Sequence, residues 1–278
     1  MKRIIIALIV AVALMPLARA QQDQKEQFVI PLTNPKEAAS ISLNHINGDI
    51  AVTGYNGTEV IVTVVASGKT TDHDHHKDHD CDDCDESAVP AGMKKISVNP
   101  VELRATEENN QVDIHTESWK RKMDITLRVP TTCNLNLQTV HGTVKVSGVS
   151  GVLEISSVNG MLEFEQVSGT VVANTVNGKV KVQLEEVTAG EPMSFVTLNG
   201  DVDVTLPANV KATAKLRSDR GEIYTDFEME MERSKKDVRN SNGEFEVAIN
   251  SWVYGKINGG GPEYLFKNMN GNILVRKK

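Results

Sequence analysis

The chain has 278 residues, a formal net charge of −7 at pH 7 and an aromatic content of only 4%. This length suffices for a leader followed by one large β domain, or by one domain and a smaller one. Because a negative chain with no basic patch is unsuited to nucleic acid, we expect no nucleic-acid partner.

The first twenty residues, 1–20, are typical of a signal peptide. Lys2 and Arg3 form a basic start, residues 4–15 form an apolar run, and Ala18-Arg19-Ala20 is an A-x-A cleavage site. The apolar run is short for a membrane span, and no second stretch approaches membrane length. We therefore predict an exported protein that is periplasmic, at the cell surface or secreted, with no transmembrane segment in the mature chain.

After the leader, residues 21–40 are interpreted as an N-terminal lead-in that contains one strand, Phe28–Leu32. The main domain is predicted at 41–278. Its first stretch, Ile41–Val65, alternates apolar and polar residues around Asn-Gly corners. This pattern indicates a first β coil of the same kind as the central repeats described below.

An acidic insertion rich in His and Cys, residues 71–86, interrupts the domain. It holds eight carboxylates against one lysine, Lys77. Imidazole and thiolate are ligands of Zn²⁺ and related transition metals, and C-x-x-C spacing suits one tetrahedral ion. No cofactor is required elsewhere, so zinc or a similar metal is the only cofactor considered. The candidate metal ligands are His73, His75, His76, His79, Cys81 and Cys84.

Two other interpretations of the insertion stay open. Such charge density without apolar residues is also typical of a solvated loop that binds no metal. In an oxidising compartment, Cys81 and Cys84 could instead form a disulfide, which would leave Cys133 unpaired.

The central stretch, Leu137–Leu206, repeats one short pattern four times. Each copy has Ser or Thr, an apolar residue, Asn or His, Gly, and then alternating apolar residues. The spacing of roughly 18 to 22 residues is typical of a repeat architecture, in which neighbouring copies bury one another. Arg220-Gly221 resembles a fifth, degraded corner. The four corner glycines are Gly142, Gly160, Gly178 and Gly200.

Alternation at period two predicts that each copy contributes a strand with one buried face. The predicted inward pairs are Val144 and Val146, Leu162 and Phe164, Val180 and Val182, and Val202 and Val204. Asn-Gly corners between such strands fit an all-β, right-handed β-solenoid. They also fit an antiparallel β meander or sandwich, because Asn-Gly is the strongest short hairpin signal.

The outward residues favour the solenoid. Three places after each corner glycine come Lys145, Glu163, Lys181 and Asp203, with alternating signs of charge. In a parallel, in-register stack these residues would lie about 4.8 Å apart on neighbouring strands and would attract one another. An antiparallel meander would not place them side by side.

After the repeats the pattern becomes less regular. The charged run Glu228–Arg239 is interpreted as a solvated excursion or short helix. The closing segment has two further Asn-Gly corners, and its basic end, Arg276–Lys278, is predicted to cap the stack and shield an exposed strand edge.

The opening INGDIAVTGYNG, the central TVNGKVKV copies and the closing INGGGPEYLFKNMNGNILV resemble the bacterial putative-adhesin domain family. This resemblance covers the chain from about Ile41 to its end. It implies an exported protein with a right-handed β-helix-like fold and carries over no catalytic residue. The insertion 71–86 departs from the family pattern.

Candidate catalytic groups are few. Asp201 and Asp203 are spaced like carboxylates of some β-helix polysaccharide-cleaving enzymes, but both are predicted to face solvent within the charge row. The run Gly259–Pro262 is predicted to be a corner, because a phosphate cradle needs a following helix. His45, His115 and His141 are isolated and are predicted at the surface or at corners.

We therefore expect a non-catalytic binding or structural protein of the cell envelope, adhesin-like, with an envelope protein or polysaccharide as its partner. One alternative is a polysaccharide-processing enzyme on the same architecture, although Trp and Tyr are scarce in the central repeats. Another is a periplasmic metal-binding protein that acts through the insertion.

Overall fold

In the computed structural model, β coils are stacked so that their strands line two main faces. The structure describes residues 24–70, 103–116, 121–233, 237–241, 244–248 and 252–278. The regular elements in these ranges are strands: β1 (Gln24–Pro31), β2 (Ala39–Asn47), β3 (Ile50–Tyr55), β4 (Glu59–Thr70), β5 (Leu103–Glu108), β6 (Gln111–Thr116), β7 (Arg121–Pro130), β8 (Cys133–His141), β9 (Val144–Ser147), β10 (Ser150–Asn159), β11 (Leu162–Asn177), β12 (Val180–Val187), β13 (Met193–Asn199), β14 (Val202–Leu206), β15 (Ala212–Ser218), β16 (Ile223–Thr225), β17 (Met229–Arg233), β18 (Asp237–Ser241), β19 (Glu244–Ala248), β20 (Val253–Ile257), β21 (Glu263–Asn268) and β22 (Ile273–Lys277).

Face A is the sheet ordered β5-β6-β2-β8-β10-β11-β13-β21-β15-β20-β17. Face B is the sheet ordered β1-β4-β7-β3-β9-β11-β12-β14-β22-β16. The long strand β11 contributes its first part to face B and its second part to face A. From β6 to β15 and from β7 to β16 every pairing is parallel, which confirms the β-solenoid and excludes the antiparallel meander or sandwich.

The space between the two faces holds the hydrophobic core. Alternate residues of each strand point inward, and those of successive coils lie in register. Phe195 and Phe266, on the paired strands β13 and β21, stack with ring centroids 5.2 Å apart. All eight residues of the predicted inward pairs are at most 1% exposed: Val144, Val146, Leu162, Phe164, Val180, Val182, Val202 and Val204.

Where each coil passes from face A to face B, the chain turns through a stacked column of glycines, here called the corner ladder. A Cβ added at Gly178 would clash with the backbone carbonyl of Gly160, and every other step of the ladder is equally close. Only glycine allows this approach. The predicted corner Arg220-Gly221 is confirmed. In stacking order the ladder is Gly48, Gly142, Gly160, Gly178, Gly200, Gly271 and Gly221.

Asparagine amides bind one another along the outside of the same corner. Asn177 donates from Nδ2 to Oδ1 of Asn159 at 2.8 Å, Asn199 donates to Asn177 at 2.7 Å, and Asn270 donates to Asn199 at 2.6 Å. The amides of Asn177 and Asn199 both donate and accept, so the row satisfies polar groups while it fixes the register of the coils. The row ends near His141, whose Nδ1 lies 3.3 Å from Nδ2 of Asn159.

The order of the coils in the stack differs from their order in the chain. The last strands, β21 and β22, lie between β13/β14 and β15/β16. The prediction that Arg276–Lys278 caps the stack is therefore wrong, because β22 is paired on both sides. At the other end, β2 and β3 lie inside β6 and β7.

Antiparallel strands extend both ends of face A and one end of face B. Strand β1, which contains most of the predicted strand Phe28–Leu32, pairs with β4, and β4 pairs with β7. At the opposite end, β20 and β17 extend face A beyond β15. The predicted excursion or short helix at Glu228–Arg239 is wrong where the chain is described, because Met229–Arg233 is strand β17 and Asp237–Ser241 pairs with β19.

We expect Gly178→Ala to destabilise the fold by more than about 4 kcal/mol, at the upper end of single-substitution effects. The added methyl group would collide with the backbone of the next coil, which cannot rotate away as a side chain could. Urea unfolding followed by circular dichroism measures the change.

The matched control is Gly190→Asn, in the turn after β12. Gly190 has φ of 85° and open space around its Cα, and Asn tolerates that conformation. This variant should lose no more than about 1 kcal/mol. If both variants are equally stable, the close approach at the corner does not limit the spacing of the coils.

Candidate functional site

The outer surface of face A is lined by neutral polar side chains in cross-strand rows. Gln138, Ser156 and Asn174 lie side by side on β8, β10 and β11. Contacts among the outward amides are few and long, such as 3.5 Å between Gln138 Nε2 and Asn136 Oδ1. Amide and hydroxyl groups on this surface therefore retain donors and acceptors for a ligand.

A shallow groove of about 460 Å³ lies on the half of face A nearest β6. Its rim carries one carboxylate on each side, Asp113 and Glu154, and its floor is mainly amide and hydroxyl groups. A ligand rich in hydroxyl groups could hydrogen-bond along this groove. The other polar residues that line it are Ser40, Ser42, Gln111, Asn134 and Asn136.

An exposed aliphatic stripe borders face A beside the corner ladder. Successive coils place an aliphatic side chain immediately before the corner Asn or His, and Val140 and Leu198 are 37% and 43% exposed. The remaining members are partly or largely exposed as well. The stripe consists of Ile46, Val140, Val158, Val176, Leu198 and Met269.

Face B differs because its outward charges bind one another. Glu163 accepts hydrogen bonds from Lys181 at 2.8 Å and from Lys145 at 3.5 Å. Asp203 accepts from Arg276 at 2.8 Å and from Lys179 at 3.2 Å.

The predicted charge row is thus confirmed in its register, with one difference. Lys181 lies beside both Glu163 and Asp203 in the sheet, yet among the described residues it forms an ion pair with Glu163 alone. Asp203 is neutralised instead by Arg276 of β22, the strand that the chain inserts next to β14.

The two candidate catalytic carboxylates have structural partners. Oδ1 of Asp201 accepts from the backbone N–H of Asn272 at 2.9 Å. Partial burial opposes ionisation of Asp203, but hydrogen bonds from Arg276 and Lys179 outweigh it and lower the pKa of Asp203. An ionised, doubly paired carboxylate is a poor general acid.

The prediction that His45 lies at the surface or at a corner is wrong. It is 3% exposed, not a surface residue, and its Nδ1 lies 2.9 Å from Thr116 Oγ1. It occupies the inward position that Thr139 and Ser157 hold in other coils. Burial lowers the pKa of His45. His45 stands three residues before its corner glycine, as Thr139 and Ser157 do before theirs, and this shared position in the motif could have identified it as a core residue.

His115 and His141 are exposed, as predicted. The run Gly259–Pro262 forms a turn between β20 and β21 and is followed by a strand, which confirms the predicted corner. Cys133 is a free, buried thiol, and burial raises its pKa to about 12.

The six predicted metal ligands, His73, His75, His76, His79, Cys81 and Cys84, lie outside the described residues. The described part of the chain stops at the end of β4 and resumes at β5. Within the described ranges, no group of three or more His, Cys, Asp and Glu side chains could hold a metal ion.

The model of one protein family, Toastrack DUF4097, matches residues 19–258. The chain belongs to the Toastrack family. This agrees with the resemblance to putative-adhesin domains stated from the sequence. No curated protein matches the chain.

The Toastrack chain is also similar to three solved structures. A putative cell adhesion protein from Clostridium sporogenes is 10% identical, with a TM-score of 0.45 over 92% of this chain and 100% of that one. A putative adhesin from Bacteroides fragilis is 11% identical, with a TM-score of 0.41 over 93% and 98%. A putative lipid binding protein from Parabacteroides distasonis is 9% identical, with a TM-score of 0.26 over 93% and 98%.

Over the part of the Toastrack chain that the structure describes, no helix has the length and apolar character needed to cross a membrane. The residues that sequence reasoning missed are the outward polar rows of face A. Their identities were visible as the polar half of each alternating strand, but their order across the face depends on which coils are neighbours.

In the Toastrack domain, Glu163→Gln should destabilise the fold by no more than about 1 kcal/mol at neutral pH. Hydrogen bonds from Lys181, with the nearby charge of Lys145, lower the pKa of Glu163. A lowered pKa stabilises the fold above the unfolded-state value of about 4.3, and this contribution disappears as the pH falls through the folded-state pKa.

The control is Glu154→Gln, an outward carboxylate of face A with no ion pair to a described residue. Urea unfolding of both variants at pH 7 and at pH 3 makes the comparison. The wild type should exceed Glu163→Gln in stability only at the higher pH. An equal loss of stability in both variants at pH 7 would show that the ion pairs of the charge row do not stabilise the fold.

Proposed function

We propose that this Toastrack protein is an exported, non-catalytic binding protein of the cell envelope whose ligand lies along face A. The observation that supports this is the difference between the two faces. Outward charges of face B neutralise one another, whereas face A offers amides and hydroxyls with few partners among the described residues.

The shape of face A favours an extended ligand. Equivalent side chains recur on neighbouring strands about 4.8 Å apart, so a polymer that crosses the strands meets similar groups at regular intervals. The aliphatic stripe provides an apolar border along the same direction. An envelope polysaccharide, or an extended segment of an envelope protein, would match both features.

Binding without catalysis is proposed because both candidate catalytic carboxylates already bind groups within the fold. Asp203 is held by two cations and Asp201 by a backbone N–H. A polysaccharide-processing enzyme would need a free acid and a free base on either side of the scissile bond.

Binding of the mature chain, residues 21–278, to envelope fragments from its source organism tests the proposal. The variant Gln138→Leu/Ser156→Leu removes the amide and the hydroxyl from the central row of face A without a change of charge and should weaken binding at least tenfold in cosedimentation. The control Thr53→Leu/Thr126→Leu makes the same kind of change at exposed positions of face B and should retain binding.

Equal losses in the two variants, or no binding by the wild type, would contradict the proposal. The size of the released polymer provides a second measurement. Envelope polysaccharide recovered from the complex should keep its original chain length. Shortening that Asp201→Asn/Asp203→Asn abolishes would instead support the enzyme.

We infer a second, independent capacity from the composition of the insertion. Four His and two Cys within residues 71–86 allow several overlapping sets of four ligands, which suits exchangeable Zn²⁺ binding. Zinc titration should show that deletion of 71–86 removes binding, whereas His115→Asn, outside the insertion, leaves it unchanged. Affinity should fall as the pH drops below about 6.5, because protonated imidazole cannot coordinate a metal. If the wild type and the deletion bind zinc equally weakly, the segment is not a metal site.

A further inference from the structure

Three cations lie together on face A at the end opposite the groove. Arg217 of β15 and Lys267 of β21 are direct neighbours on paired parallel strands, and Lys215 lies two residues before Arg217 on the same side of β15. These cations, with Trp252 and Tyr254 of the adjoining segment, are here called the cationic platform.

Arg217 and Lys267 carry like charges at directly paired positions of neighbouring strands. Like charges directly opposite each other on neighbouring strands repel. The chain as a whole is acidic, with a net charge of −7, so an accumulation of positive charge on one part of one face is not a consequence of composition. An anionic ligand bound between the two side chains would remove the repulsion.

Aromatic rings hold two of the cations in place. Nζ of Lys215 lies 5.1 Å from the centroid of the Trp252 ring and 6.0 Å from that of Tyr254. Cζ of Arg217 lies 5.6 Å from the Trp252 centroid. Such cation–π contacts restrict flexible side chains and reduce the entropy lost on binding. Both rings stay partly exposed and can stack on a sugar ring.

Carboxylates only partly neutralise the platform. Lys215 pairs with Glu263 at 3.3 Å, and Nε of Arg217 pairs with Asp219 at 2.8 Å. Lys267 is exposed and has no ion pair within the described part of the chain. Because Asp219 binds Nε of Arg217, the terminal amino groups of that guanidinium can bind an incoming carboxylate.

The platform continues the polar row of the candidate site. In cross-strand register, Ser156 lies beside Asn174, Asn174 beside Val196, Val196 beside Lys267, and Lys267 beside Arg217. One straight row therefore changes from hydroxyl and amide groups at Ser156 and Asn174, past the aliphatic Val196, to the cations. A ligand that lies along it would combine neutral hydroxyl groups with acidic groups.

We propose that the ligand of face A is an acidic polysaccharide, with a uronate-type carboxylate bound by Arg217 and Lys267 and a sugar ring stacked near Trp252. This assignment rests on the proposed function and specifies its ligand class. Successive sugars would extend towards Asn174 and Ser156, where their hydroxyl groups meet amides and hydroxyls.

A nucleic acid fits the same row poorly. A deoxynucleotide strand has no free sugar hydroxyl groups along its length, and its phosphates bind proteins mainly through extended rows of cations. Beyond Lys267 the row is neutral and suits the hydroxyl groups that every unit of a polysaccharide supplies.

Titration of the mature chain with oligogalacturonate tests the proposal. Arg217→Gln/Lys267→Gln should weaken binding at least tenfold. The control Lys25→Gln/Lys145→Gln removes two exposed cations from the sheet of face B and should change the affinity less than twofold. Trp252→Leu should weaken binding and abolish the quenching of tryptophan fluorescence that the oligosaccharide produces in the wild type.

Two further probes of the same length separate the possible outcomes. Methyl-esterified oligogalacturonate, which keeps the sugar rings without the charge, should bind at least tenfold more weakly. A single-stranded oligodeoxynucleotide should bind more weakly than oligogalacturonate. Equal loss in both double variants, equal affinity for the ester, or tighter binding of the oligodeoxynucleotide would overturn the proposal.

Failure of this inference is distinguishable from failure of the proposed function. If Gln138→Leu/Ser156→Leu blocks binding to envelope fragments but the wild type does not bind oligogalacturonate, face A binds another ligand and the acidic-polysaccharide assignment is wrong. If oligogalacturonate binds at the platform but envelope binding does not depend on face A, the envelope function is wrong.

Discussion

The backbone-to-backbone contact at the corner ladder is the constraint on which the rest of the structure depends. From Gly142 onwards, each corner glycine lies so close to the carbonyl of the preceding glycine in the stack that no side chain fits between them. This contact fixes the spacing of the coils at one edge. The hydrogen-bonded asparagines outside the ladder fix their register. Inward and outward rows on both faces are consequences of that alignment.

Because the coils are in register, equivalent outward side chains of neighbouring strands lie side by side on both faces, and the two faces differ in the chemistry of those side chains. On face B, opposite charges on neighbouring strands meet and neutralise one another, which adds a modest contribution to stability. On face A, the same alignment brings together side chains that do not satisfy one another's hydrogen bonds or charges. They are amides, hydroxyls, aliphatic groups and, at one end, like charges. A repeat fold whose outward row keeps hydrogen-bond donors and acceptors for a ligand is suited to bind a polymer with a repeating structure.

Much of the fold could be predicted because the signals are local. Period-two alternation identifies Val180 and Val182 as inward residues, and even the degraded corner at Gly221 was visible. The same motif alignment would have placed His45 in the core, since it occupies the position of an inward Thr. Strand β17 could not be predicted from its composition, because Met229 is only partly buried and Met231 is 57% exposed, so this edge strand carries a weak apolar pattern.

The order of the coils could not be predicted, and the candidate site depends on it. Arg217 and Lys267 are fifty positions apart in the sequence and become neighbours only because β21 inserts between β13 and β15. Trp252 reaches them because β20 then runs antiparallel to β15. Closing a long loop costs little more free energy than closing a short one, so local pattern and loop length leave several stacking orders open. The insertion of a late coil thus brings Lys267 beside Lys215 and Arg217 and forms one positively charged surface on an acidic chain.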